Sequence, residues 1–163
     1  MAPSNVGRVL QCGMDDTFDQ MTHALRQHGL VSALAVLNAH VRQRYSAVYR
    51  LSAEGQLINL ALVDKLEEPA PEFLMSVPYS VSFCQFTLKY GEFRTSNSAL
   101  DDRLEGHPFK GVMNSYFAVP FVSTHGAVTG TICHFDTVAM PLPDEDLELL
   151  RLASRVFPTF LPR

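Results

Sequence analysis

Residues Tyr116 to Asp136 read YFAVPFVSTHGAVTGTICHFD, and no other stretch restricts the fold of this chain so tightly. Two runs rich in β-branched and aromatic residues flank a polar turn at Ser123-Thr124-His125-Gly126, which is the pattern of an antiparallel hairpin. Pro120 cannot donate to a ladder, so it belongs near a strand end or at a bulge. Gly126 suits the tight turn, and Gly130 suits a close approach of two backbones.

The rest of the chain supplies partners for that hairpin. Phe18, Met21 and Leu25, then Leu30, Leu34, Leu37 and Val41, fall at helical spacing, which predicts two helices meeting near Gly29. Arg44 to Leu51 and Leu57 to Val63 alternate as strands around a turn at Ser52-Ala53-Glu54-Gly55. Leu66 to Pro71 is an acidic, proline-containing loop. A short helix is expected over Val81 to Tyr90, capped by Ser80 or Ser82, and Phe93-Arg94-Thr95 reads as a short strand. Asp144 stands where an N-cap belongs for a last helix over Glu145 to Phe157, with acidic residues in its first turn and Arg151 and Arg155 further on. Residues 1–14 show no clear period and read as a mobile arm, leaving 15–163 as one domain.

Several function classes drop out on composition. A chain of 163 residues, 47% apolar, suits a single core of ordinary size. The net charge of −4 and scattered basic residues give no footprint for nucleic acid. The apolar runs are too short for a membrane span of about 20 residues. Met1 to Asn5 lack the basic start and apolar run of a secretory signal, so the expected location is the cytoplasm. Cys12, Cys84 and Cys133 are odd in number and far apart, which suits free thiols better than a disulfide framework. Neither a GxxxxGK loop, a GxGxxG turn nor a GxSxG elbow occurs, so nucleotide-phosphate and serine-hydrolase chemistry have no support.

The hairpin Tyr116-x-x-Val119-Pro120-Phe121, then Gly130-Thr131-Ile132-Cys133-x-Phe135-Asp136, then Leu142-x-Asp144-x-Asp146-Leu147 resembles the C-terminal half of many bacterial GAF domains. Ser82-Phe83-Cys84 and Arg103-Leu104-x-Gly106-His107-Pro108 are similar to the same group, so the resemblance spans roughly residues 29–160. It implies an α+β, GAF/PAS-like fold: a central antiparallel sheet of five or six strands, terminal helices packed on one face and a ligand pocket on the other. It also implies a signalling role by small-molecule binding, with no catalytic residue. Fold likeness alone names no ligand or cofactor.

The candidate ligand-binding residues are Cys84, Arg94, Asp101, Asp102, His107, Tyr116 and Cys133. Cys84, near a helix start, is the strongest candidate for an acidified thiol, with a buried apolar role beside Phe83 and Phe86 as the plainer alternative. The same position resembles one cysteine of the free methionine-(R)-sulfoxide reductases, which makes a thiol-based reductase the alternative function. Those enzymes resemble one another in a second, upstream cysteine, and here Phe73-Leu74-Met75 stands instead, with no resolving thiol in sequence nearby. Arg94 could offer its fork to a carboxylate or phosphate, with Tyr116 on the same pocket. Asp101 and Asp102, with Glu105 beside Arg103, read either as turn caps or as ligand contacts. Cys133-His134 is similar to the pair that attaches bilins in photoreceptor GAF domains, but on a strand the two side chains point to opposite faces. No zinc pattern is formed by Cys133, His134, His125 and His107.

The expected function is therefore a cytoplasmic sensing or interaction module without catalysis. Its partners would be an unidentified small molecule, a second copy packed through the terminal helices, and a separate signalling protein. A ligand-free scaffold, its pocket filled by Phe86 and Phe117, is the third reading.

Overall fold

The computed structural model describes the backbone of residues 5–123 and 125–162, with side chains described from residue 13 onward. Six strands form one antiparallel sheet: β1 (Tyr45–Leu51), β2 (Gln56–Asp64), β3 (Ser76–Pro78), β4 (Phe93–Thr95), β5 (Ser115–Val122) and β6 (Val128–Asp136). Their order is β3-β2-β1-β6-β5-β4, so the two hairpins lie side by side with β1 against β6. Four α-helices accompany it: α1 (Asn5–His28), α2 (Leu30–His40), α3 (Cys84–Tyr90) and α4 (Asp144–Val156).

Strand alternation divides the molecule into two cores. On one face Val48, Phe117, Val119, Phe121 and Ile132 meet Met21 and Leu25 of α1, Leu34 and Leu37 of α2, and Leu150 and Ala153 of α4, with Phe157 just beyond. Each of these large side chains is sealed from water and contributes roughly 1.5–3 kcal/mol of transfer free energy. On the other face Tyr45, Ala47, Tyr49, Tyr116, Ala118, Cys133 and Phe135 lie under Phe83, Leu104 and Met113. The helices take one face, and α3 with the irregular segments takes the other.

Local chemistry accounts for the breaks. Gly29, at φ 92°, ends α1 by donating its N–H to Ala24 and Leu25 carbonyls before α2 turns away. Gly126, at φ 80°, makes the β5–β6 turn. Pro120 sits beyond the end of β4 and one residue before the register shift at Phe121/Val122, where its missing N–H interrupts little. At Gly130 an added Cβ would stand 2.0 Å from the Tyr49 carbonyl oxygen, so only glycine lets β6 lie against β1 there.

Three local expectations change. The helix expected over Val81 to Tyr90 begins only at Cys84, with Phe83 at its N-cap position and Tyr79–Val81 forming a separate 3-10 turn. α1 begins at Asn5, so most of the segment read as an arm is helical, and the remainder lies outside the described residues. Its glycines and polar residues hid the period. Asp144 is not the N-cap of α4: Pro143 occupies that position, and the Asp144 carboxylate instead accepts from Arg94 Nη1 at 3.2 Å. Among the described residues no helix is long and apolar enough to cross a membrane.

Candidate functional site

The second core is incompletely filled. A cavity of about 60 Å3 remains between the sheet and its cover, walled by Tyr49, Phe83, Cys84, Met113, Tyr116 and Cys133, with Leu57, Leu74, Val77 and Phe135 around them. Phe73 and Phe109 form the rim, their rings 6.2 Å apart, and Phe73 is half exposed. Among the described residues no Asp, Glu, Lys, Arg or His lines the cavity. Its polar atoms are the two thiols, the tyrosine hydroxyls and Ser82.

Each polar group is held. Ser82 Oγ accepts the Gln85 N–H at 3.2 Å in the first turn of α3, which fixes Cys84 over the sheet. Cys84 Sγ lies 3.0 Å from the Tyr116 hydroxyl and 3.3 Å from Thr131 Oγ1. The neighbouring Cys133 side chain, helped by hydrogen bonds with Thr131 and Tyr116, pulls the Cys84 thiol below its ordinary pKa in spite of burial. Burial pushes Cys133 upward, and the neighbouring Cys84 adds to this, so Cys133 keeps its proton. Tyr116 is raised by burial and by the neighbouring sulfurs, and also stays protonated. Tyr49 donates to the Leu74 carbonyl at 2.8 Å, tying the 72–74 turn over the cavity.

The structure thus brings together three of the residues singled out from sequence, Cys84, Tyr116 and Cys133. No thiol lies near Cys84 in sequence, but Cys133 from the far end of the chain shares its cavity wall, because β6 runs through the centre of the sheet beneath α3. Tyr49, Phe83 and Met113 were not foreseen as site residues. Alternation in the first hairpin places Tyr49 on the face of Tyr45, but nothing in sequence says which face carries the cavity.

The remaining candidates lie elsewhere. Arg94 and Tyr116 do not share a pocket: Arg94 is exposed on β4 while its neighbours Phe93 and Thr95 are buried. With Asp101, Asp102, Arg103 and Asp144 it lines a separate, open groove. Asp101 is held down to about 2, first by the Arg103 guanidinium, which it meets at 2.6 Å. Its side chain also accepts the Arg103 N–H, the turn-capping role. His107 packs against Phe83 with ring centroids 4.7 Å apart, outside the cavity wall. Its Nδ1 accepts from the Phe109 N–H at 3.1 Å, which leaves Nε2 to donate to the Ser82 carbonyl at 3.3 Å. Burial lowers its pKa.

Cys133 and His134 point to opposite faces, as alternation requires. His134 lies in the helix-side layer with Nδ1 2.5 Å from Ser46 Oγ, and Asn38 Nδ2 donates to the same hydroxyl at 2.8 Å. Burial, with the charge of Lys65 nearby, drives the His134 pKa down to about 3. Among the described residues no group of three or more His, Cys, Asp or Glu is placed to hold a metal ion.

A six-stranded antiparallel sheet with helices on one face and a small cavity under irregular segments on the other is the GAF fold, and solved GAF structures superpose on it at high probability. No protein-family model and no curated protein matches the sequence. Among solved structures, free methionine-R-sulfoxide reductase from Neisseria meningitidis, in complex with its substrate, aligns over 98% of this chain and 92% of its own at 14% identity and TM-score 0.71. The GAF domain of an Acinetobacter phosphoenolpyruvate-protein phosphotransferase covers 86% and 87% at 12% identity and TM-score 0.70. The phycocyanobilin-bound GAF domain of a cyanobacterial phytochrome covers 87% and 90% at 13% identity and TM-score 0.67. At such identities the likeness concerns the fold alone.

Proposed function

We propose that this chain is a non-catalytic small-molecule-sensing module, with its ligand in the Cys84–Tyr116 cavity and its output passed to a separate protein. The observation that carries this reading is the cavity itself: a gap in an otherwise packed aromatic face, with polar atoms converging at one end. At about 60 Å3 it is smaller than the ~150 Å3 engineered cavity that admits benzene. A ligand of a few heavy atoms fits as it stands, and a bilin does not. GAF neighbours include both ligand-bound sensors and reductases, so the fold is compatible with either.

The uncharged wall favours sensing over turnover of a free amino acid. The ammonium and carboxylate of methionine sulfoxide would enter a space that offers no charged partner, at a cost of several kcal/mol. The scaffold reading also loses its stated basis. Phe117 faces the helices and packs on His134, while Phe86 lies against Phe93 and His107. Neither fills the cavity.

Assembly through α1 and α4, which share one core on the sheet, is the route by which binding would be relayed. Native mass spectrometry of the purified protein, followed by a melting screen of small metabolites, tests the proposal. A retained or stabilising ligand that Tyr116→Trp excludes supports it, and turnover of methionine sulfoxide lost in Cys84→Ser overturns it. A protein that melts at one temperature with every metabolite and carries no adduct is a scaffold.

A further inference from the structure

Two thiols meet at the cavity wall although their residues come from different layers, Cys84 from α3 and Cys133 from the middle of β6. Cys84 Sγ reaches Thr131 Oγ1 on β6, Cys133 is the next residue on that same face of the strand, and both thiols line the cavity and are otherwise covered. The donors around them are divided unequally. Cys84 Sγ has the Tyr116 hydroxyl at 3.0 Å and Thr131 Oγ1 at 3.3 Å, two groups able to donate to one sulfur. Cys133 Sγ has the Ala47 carbonyl at 3.7 Å as an acceptor for its proton. That arrangement stabilises negative charge on Cys84 and leaves Cys133 as the protonated neighbour. Thiolate character and access, more than exposure of the whole residue, decide which cysteine is oxidised. Access is through the rim at Phe73 and Phe109, and the apolar wall between accepts a small neutral molecule.

We propose that Cys84 and Cys133 are a redox modification site, converted to an intramolecular disulfide by a small hydroperoxide entering the cavity. The Cys84 thiolate attacks the distal peroxide oxygen: an S–O bond forms, the O–O bond breaks, and the departing alkoxide leaves as the alcohol with the proton that Cys84 gave up. Cys133 sulfur then attacks the resulting sulfenic acid. The S–S bond forms, the S–O bond breaks, and the hydroxyl leaves as water with the Cys133 proton. Two thiols are oxidised by two electrons in all, and one hydroperoxide is reduced to an alcohol and water. The site needs only the thiol pair and the rim, so it stands whether or not the cavity also binds a metabolite.

Trypsin places the three cysteines in three separate fragments, 9–26, 66–89 and 111–151, which makes the test direct. The full chain is treated with hydrogen peroxide, its free thiols are blocked, and it is digested without reductant. The expected product is fragment 66–89 joined to fragment 111–151, lighter by two hydrogens and separated again by dithiothreitol. In Cys133→Ser the Cys84 sulfenic acid has no thiol to meet, and dimedone captures it as the main species, whereas the unsubstituted chain gives only a trace. A cross-link through the Cys12 fragment overturns the proposal. So does Cys84 sulfinic acid beside an intact Cys133 thiol, or a folded protein left unoxidised under conditions that oxidise it in guanidinium.

Discussion

Lowering the pH from 7 to 5 should weaken this fold, with His134 the largest contributor. The ring is sealed between the sheet and the helices, with Nδ1 on Ser46, and its pKa is driven down to about 3. In the unfolded chain it returns to about 6.5. Between those values only the unfolded state carries the proton, so the stability present above about pH 6.5 is lost progressively as pH falls toward the folded value. The slope is about 1.4 kcal/mol per pH unit, so the loss from pH 6.5 to 5 is about 2 kcal/mol. For a chain of this size that corresponds to a fall of roughly 4–8 °C in Tm. Asp64 and Asp101, both held down to about 2, lose their contribution only at lower pH. Asp146, raised by burial, works in the opposite direction, and His107, lowered by burial, works in the same one. Both are common to wild type and His134→Gln and cancel in the difference. Urea unfolding of the two proteins at pH 7 and pH 5 isolates the effect: wild type should lose about 2 kcal/mol more than the variant. Equal losses would refute the argument. If the variant does not fold, the ring proton shifts of His134 decide, and movement of those shifts between pH 7 and 5 in the folded protein would refute it equally.

Other substitutions test the remaining claims. Gly130→Ala drives a Cβ toward a backbone oxygen 2.0 Å away, which cannot swing aside, so the loss should reach or exceed about 3 kcal/mol in denaturant unfolding. Gly55→Ala, strained at φ 77° but in open space, should cost only about 1 kcal/mol. Tyr116→Phe removes one donor from Cys84, and its alkylation by iodoacetamide at pH 7 should slow about tenfold, the kinetic equivalent of one hydrogen bond to a charged group. Unchanged rates would mean that Tyr116 does not support the thiolate. Arg94→Ala breaks an exposed pair with Asp144, so stability should change by less than about 1 kcal/mol. Any ligand-induced shift in melting should persist in that variant, since Arg94 lies outside the cavity.

The parts of the fold legible in sequence are those that local chemistry dictates. The hairpin turn at Gly126, the break at Gly29, the strand alternation around Cys133-His134 and the last helix all follow from residues within a few positions of each other. The site was legible only in pieces. Cys84 and Tyr116 could be picked out singly, but the placing of Cys84 and Cys133 on one cavity wall depends on β6 taking a central place in the sheet, which no local pattern encodes. The buried group of Asn38, Ser46 and His134 was hidden for the same reason, since polar residues on three elements converge only after the helices dock. Arg94 misled in the other direction. Its charge and its neighbour Phe93 suggested a pocket, but alternation turned it outward toward Asp144.

The two outermost strands, β3 and β4, are each three residues long, and β3 closes on Pro78. A free strand edge is a template for another chain, and edges this short, one of them closed by proline, offer little ladder to extend. A second chain adding to β3 or β4 would therefore gain at most three residues of ladder at either border, a poor start for sheet-to-sheet growth.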